Sequence, residues 1–167
     1  MRNAIITVVG TILVPLLLFI LIPYMILRAA PVALDARVGV VEVGSVALAV
    51  TGFTMILWVS TTFVRRGKGT PVPLDPPKEF IAIGLYRFVR NPMYLGLLLV
   101  MLAEAALFRS VWLLVYASVF WLAVHSYLIL IEEPELEARF GAAYLSYKAT
   151  TPRWIPRVPR RPNGSRT

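Results

Sequence analysis

The feature that most limits what this chain can fold into is a run of 22 residues, Val43 to Val64, that carries no charged side chain. A helix crosses the ~30 Å hydrocarbon layer of a bilayer with about 20 such residues. Three further apolar runs accompany it: Ala4–Leu27, Met93–Phe108 and Val111–Ile131. With 58% of its 167 residues hydrophobic, a soluble domain of this size could not hide them all. The chain therefore reads as an all-α, polytopic membrane bundle. Four transmembrane helices are expected at about 4–28, 38–64, 92–108 and 110–132, and a cytoplasmic amphipathic helix at 133–148.

Details of the runs refine this. The first is too long for the apolar core of a cleaved signal and lacks a small-residue cleavage site after it. Pro15 and Pro23 predict kinks that neighbouring helices can absorb. In the second, Gly44, Ser45, Thr51, Gly52 and Thr54 allow a partner helix close, and Trp58 suits an interface. The third has 16 residues, about 24 Å of helix. It must start at Pro92 inside the interface or thin the bilayer locally. Only Arg109 and Ser110 part it from the fourth, so these two helices form a tight hairpin. Arg65–Phe80, rich in Pro, Gly and charge, reads as a surface loop, and 158–167 as a disordered tail after a single domain of residues 1–157. In 133–148, Leu136, Phe140, Tyr144 and Tyr147 recur at spacings of three and four, an apolar stripe facing the body of the protein.

Charge sets the orientation. Of the 17 Lys and Arg, only Arg28, Arg37 and Arg109 fall outside if the N-terminus is inside, leaving 14 within. Both termini are thus expected in the cytoplasm, in a membrane such as a prokaryotic inner membrane. The net charge of +8 flanks apolar runs, so its partners are lipid headgroups rather than nucleic acid. The absence of cysteine removes disulfides, cysteine-ligated zinc and thiolate catalysis, and no metal site is expected. No Gly-rich nucleotide loop is present.

The hairpin carries the functional expectation. It brings the loop end Arg90–Tyr94 beside Glu132–Glu133 on the inner face, across some 40 residues of sequence. A cluster of Arg, Asn, Tyr and two carboxylates there can bind a zwitterionic cofactor. Arg90-Asn91-Pro92-Met93-Tyr94-Leu95-Gly96, followed after a helix by Glu132-Glu133, resembles the "RHPxYxG … EE" signature of the isoprenylcysteine carboxyl methyltransferase and phospholipid methyltransferase superfamily. The likeness runs from about Phe80 to Pro156, with Phe140–Pro156 similar to the family's closing segment. It implies a membrane methyltransferase using S-adenosylmethionine, held on the cytoplasmic side by Arg90, Asn91, Pro92, Tyr94, Gly96, Glu132 and Glu133. Asn91 replaces the usual histidine of the isoprenylcysteine enzymes. The phospholipid branch often has Asn there, which tilts the acceptor towards lipid.

Residue chemistry agrees with that cofactor. Glu132 or Glu133 can take its ammonium or ribose, and Arg90 can hold its carboxylate through a planar fork. Tyr86 or Tyr94 can lie against adenine or the sulfonium. Gly96 admits a close backbone or helix. His125 lies seven residues before Glu132 and so on the same helix face; it is either a packed core residue or a proton acceptor. Glu132 is the other candidate base. Arg87 or Arg153 would position a carboxylate acceptor, though Arg87 and Tyr86 equally suit headgroup anchoring, and Arg153 and Trp154 suit a cover over the cofactor. Glu104, towards the outer end, is expected to pair with Arg109 or a polar neighbour. The acceptor is lipophilic: a phospholipid amine or a prenylated or isoprenoid carboxylate. Two rival readings are an NADPH-dependent membrane reductase like the sterol reductases, and a non-enzymatic membrane scaffold.

Overall fold

The computed structural model describes residues 15–32, 38–66 and 83–158. Residues 1–14, 33–37, 67–82 and 159–167 lie outside the described residues, so the expectations for them stand as read from sequence. Among the described residues the chain is all-helical, without strands. α1 spans Leu17–Ala29 and α2 Val40–Arg66. A 3-10 turn, Gly84–Arg87, leads into α3, Pro92–Leu107. α4 runs Val111–Phe140 and α5 Ala142–Thr150.

Two of these, Val40–Thr62 within α2 and all of α4, are long and apolar enough to cross a membrane. Only 11% of each apolar window is buried inside the molecule, which sets them apart from the core helices of a soluble protein. On α2 the exposed Val43, Val46, Val50 and Leu57 recur at helical spacing and mark a continuous outward apolar face.

The inward face of α2 meets α3 backbone to backbone. A Cβ on Gly52 would stand 2.6 Å from the Gly96 carbonyl oxygen, and one on Gly96 would stand 2.9 Å from that of Gly52. No side chain fits between them. Of the five small or hydroxylated residues singled out on α2, Gly52 makes this contact and Ser45 is buried. Gly44 faces open space, and Thr51 and Thr54 are exposed and bond back to carbonyls four residues earlier. α1 is tied in by Phe19 edge-on to Phe53 at 5.9 Å and by the Tyr116 hydroxyl on the Leu18 carbonyl at 3.3 Å.

At the end of the bundle away from Glu133 the α3–α4 hairpin turns through Arg109, with φ +47°, and Ser110 caps α4 by accepting from the Leu113 N–H. Arg109 pairs with Glu42 at the start of α2, at 2.8 Å; of the partners expected for Glu104, Arg109 is thus taken elsewhere, and the polar neighbour within its electrostatic reach is Tyr116. Glu42 is 67 residues from Arg109 in the chain, and only the packing of α2 on α3 brings it within reach.

The helix expected to end at 132 does not end there. Val111–Tyr127 passes through a π turn, Leu128–Glu132, straight into Glu133–Phe140. Pro134 comes just after the π turn and, inside this continuous helix, leaves one carbonyl of the ladder without its N–H partner. The real break is Gly141, with φ +54°, a conformation that glycine adopts without strain. α5 begins there.

Candidate functional site

The open end of the α3–α4 hairpin gathers three pieces: the loop before α3, the acids of α4, and the segment Thr151–Val158 after α5, here called the strap. Backbone bonds stitch strap to loop. The Arg90 N–H donates to the Pro152 carbonyl at 2.8 Å, and the Arg157 N–H to that of Phe88 at 2.9 Å. The Asn91 side-chain amide reaches the Arg153 carbonyl at 3.4 Å. Asn91 and Pro92 are both buried, at the point where the loop turns into α3.

Glu133 is the hub. It is 4% exposed and takes Arg90 Nη1 on Oε1 at 2.9 Å. Arg153 grips it with two nitrogens, Nε to Oε1 at 2.8 Å and Nη2 to Oε2 at 2.9 Å. Lys148 from α5 approaches Oε2 at 3.3 Å and also bonds Glu137. One buried carboxylate thus faces three cations drawn from three elements. The Tyr144 phenol lies within electrostatic reach of Arg90, whose Nε is buried with no hydrogen-bond partner among the described residues.

Glu132 has a different setting. Tyr94, Tyr86 and Tyr127 lie within electrostatic reach of its carboxylate. Among the described residues no Lys or Arg forms an ion pair with it. The two adjacent acids are therefore unlike: one is held by three cations, and the other sits amid tyrosines with no cation paired to it among the described residues. The Tyr147 hydroxyl donates to the Tyr86 carbonyl at 2.7 Å, fixing the turn that carries Tyr86. Burial pushes the phenols of Tyr86 and Tyr147 well above their ordinary range, so both stay protonated.

The π turn explains this division. One α turn of 3.6 residues plus one π turn of about 4.4 makes eight residues, so His125 aligns with Glu133 rather than with Glu132. The expectation that His125 and Glu132 share a face is corrected accordingly. The strap reads the aligned pair with consecutive side chains, Arg153 on Glu133 and Trp154 on His125. Trp154 Nε1 donates to His125 Nδ1 at 3.0 Å, and Trp121 stacks on the imidazole with ring centres 5.1 Å apart. An indole N–H can only donate, so Nδ1 carries the lone pair and Nε2 the proton.

The other sequence candidates divide. Arg90, Tyr94, Glu132, Glu133 and Arg153 meet at one place. Gly96 is buried against α2, and Arg87 is exposed on the loop, outside the Glu133 cluster. Sequence reasoning missed Lys148, Tyr144 and Tyr127 as members of the site, and Trp121 beside it. For Trp121 a signal existed: its position four residues before His125 on one helix. For Lys148 nothing local did, because its route to Glu133 depends on the bend at Gly141.

The arrangement can accept a cation at Glu132 and an anion only where a guanidinium is spared by Glu133. Among proteins of known type, the family model for phospholipid methyltransferases matches residues 41–143, more than half of the chain. No curated protein and no solved structure matches it.

Proposed function

We propose that this chain, which belongs to the phospholipid methyltransferase family, moves a methyl group from S-adenosylmethionine to a lipophilic acceptor at the cytoplasmic face of a membrane. Membership and two long apolar helices make it a membrane methyltransferase. The finer reading has four spans with both ends in the cytoplasm, in a membrane such as a prokaryotic inner membrane. α5 and the last turns of α4 then serve as an amphipathic cover on that side, within one domain of residues 1–157.

The observation that carries the proposal is the unequal pair of acids at the mouth of the hairpin. The cofactor's amino-acid end bears an ammonium beside a sulfonium, and Glu132 with its ring of tyrosines suits such a cation. Tyr94 holds the carboxylate in place and Tyr86 offers a face for adenine. Arg90, whose buried Nε lacks a partner, offers its spare donor to the cofactor carboxylate. Asn91 and Pro92 fix the turn from which these side chains project, and Gly96 sets the depth of α3 against α2. Glu133 acts by holding Arg90 and Arg153 in position. When bound, S-adenosylmethionine supplies a methyl group already attached to a good leaving group, so the residues' work is alignment and exclusion of water. Such alignment lowers barriers by up to about 7–11 kcal/mol.

An amine acceptor has to shed a proton. His125 lacks a free lone pair at Nε2 while Trp154 occupies Nδ1, which leaves Glu132 as the acceptor of that proton. A carboxylate acceptor would need a free guanidinium, and Arg153 is engaged by Glu133 while Arg87 stands apart. A phospholipid amine is accordingly the favoured acceptor. The test is to incubate purified protein in native lipid with methyl-labelled cofactor. Label in a phospholipid headgroup is the expected result. Stabilisation by NADPH but not by S-adenosylhomocysteine in a thermal shift would overturn the reading in favour of a reductase.

A further inference from the structure

The strap has a second face that the site does not use. Its place along α4 is set by two neighbouring side chains, Arg153 on Glu133 and Trp154 on His125. These anchors are two turns apart, roughly 10 Å of rise. The backbone at 153–154 therefore lies between them, level with Leu128–Ile131. At that level α4 shows apolar side chains outward: Leu130 is 72% exposed, and Ile129 and Ile131 are exposed as well.

Beyond Trp154 the strap presents Ile155 at 80% exposure and Val158 at 77%, with exposed Arg157 between them. The bond from the Arg157 N–H to the Phe88 carbonyl sets this edge beside exposed Phe88 and Arg87. Neither 83–91 nor 151–158 contains an acidic residue. Large apolar side chains interleaved with arginine suit the boundary between acyl chains and phosphates.

We propose that the strap is an interfacial element that docks on phospholipid. Ile155 and Val158 insert among the acyl chains, and Arg87 and Arg157 hold the lipid phosphate. This deepens the function proposed above, resting on it for the membrane setting alone: the surface that receives the lipid is the reverse side of the segment whose Arg153 bonds Glu133. An acceptor lipid held there by its phosphate has its headgroup one strap-width from Glu132.

The chain has no cysteine, so single cysteines can be introduced without a background. Full-length Ile155→Cys, Val158→Cys and Ala149→Cys proteins are spin-labelled in nanodiscs of phosphatidylglycerol and phosphatidylcholine. Relaxation is then compared with oxygen, which partitions into lipid, and with a water-soluble nickel chelate. Labels at 155 and 158 are expected to show an oxygen-to-nickel ratio several-fold above that at exposed position 149 of α5. Equal ratios at all three would overturn insertion. Adding Arg87→Gln and Arg157→Gln to the Ile155→Cys protein is expected to lower its ratio towards that of position 149. An unchanged ratio would overturn phosphate anchoring. The readout needs no methyl transfer, so it can fail while the proposed activity stands, and can succeed if that activity is absent.

Discussion

At the scale of single residues, adjacency in sequence conceals opposite roles. Glu133 is a buried carboxylate whose removal strands Arg90 and Arg153, while Lys148 keeps Glu137, so Glu133→Gln is expected to cost about 3–5 kcal/mol of stability. A fall in the thermal midpoint measures this. Glu132→Gln strands no cation. It is expected to leave the midpoint nearly unchanged while weakening S-adenosylhomocysteine about 10- to 100-fold by titration calorimetry, the scale of one hydrogen bond to a charged group. Equal affinities in folded wild type and variant would remove Glu132 from the site. His125 can be tested as a structural acceptor. His125→Gln keeps an oxygen for the Trp154 N–H, and His125→Phe does not. The glutamine protein is expected to retain methyl transfer, and the phenylalanine protein to lose about 1 kcal/mol of stability. Loss of activity in both would restore His125 as a base.

At the scale of elements, two contacts decide the geometry: the glycine crossing of α2 on α3 and the wide turn in α4. Gly52→Ala would place a methyl 2.6 Å from a backbone oxygen that cannot move aside alone. It is expected to lower stability by about 1–3 kcal/mol and to broaden the unfolding transition in detergent. Gly44→Ala, on the same helix with nothing within 4 Å, is expected to change neither. These elements also show what the sequence could and could not disclose. The helices themselves, the tight hairpin and the meeting of Arg90 with the paired acids follow from run lengths and charge, because one-dimensional hydropathy carries that information. The π turn does not follow, since Leu128–Glu132 is as apolar at its start as any α segment and nothing in its composition demands an extra residue per turn. With it went the relative facing of His125, Glu132 and Glu133. The partnership of Arg109 with Glu42 and of Lys148 with Glu133 was hidden for another reason: each joins distant elements whose contact is a product of packing.

At the scale of the whole molecule, polar chemistry gathers at one end of an apolar bundle, and the other end is closed by Ser110 and the Arg109–Glu42 pair. An exposed ion pair of that kind contributes little, so Arg109→Gln is expected to leave stability almost intact. The proposed orientation is open to a direct check. A membrane-impermeant thiol reagent is expected to label Val111→Cys in intact cells and Ala149→Cys only after permeabilisation; the opposite pattern would invert the topology. The crossing at Gly52 and Gly96 has a last consequence for how a lipid reaches the chemistry. A seam made of peptide groups has no rotamers to swing aside, so it works as a welded joint, and any doorway for an acyl chain has to be cut along a border where side chains, free to turn, do the closing.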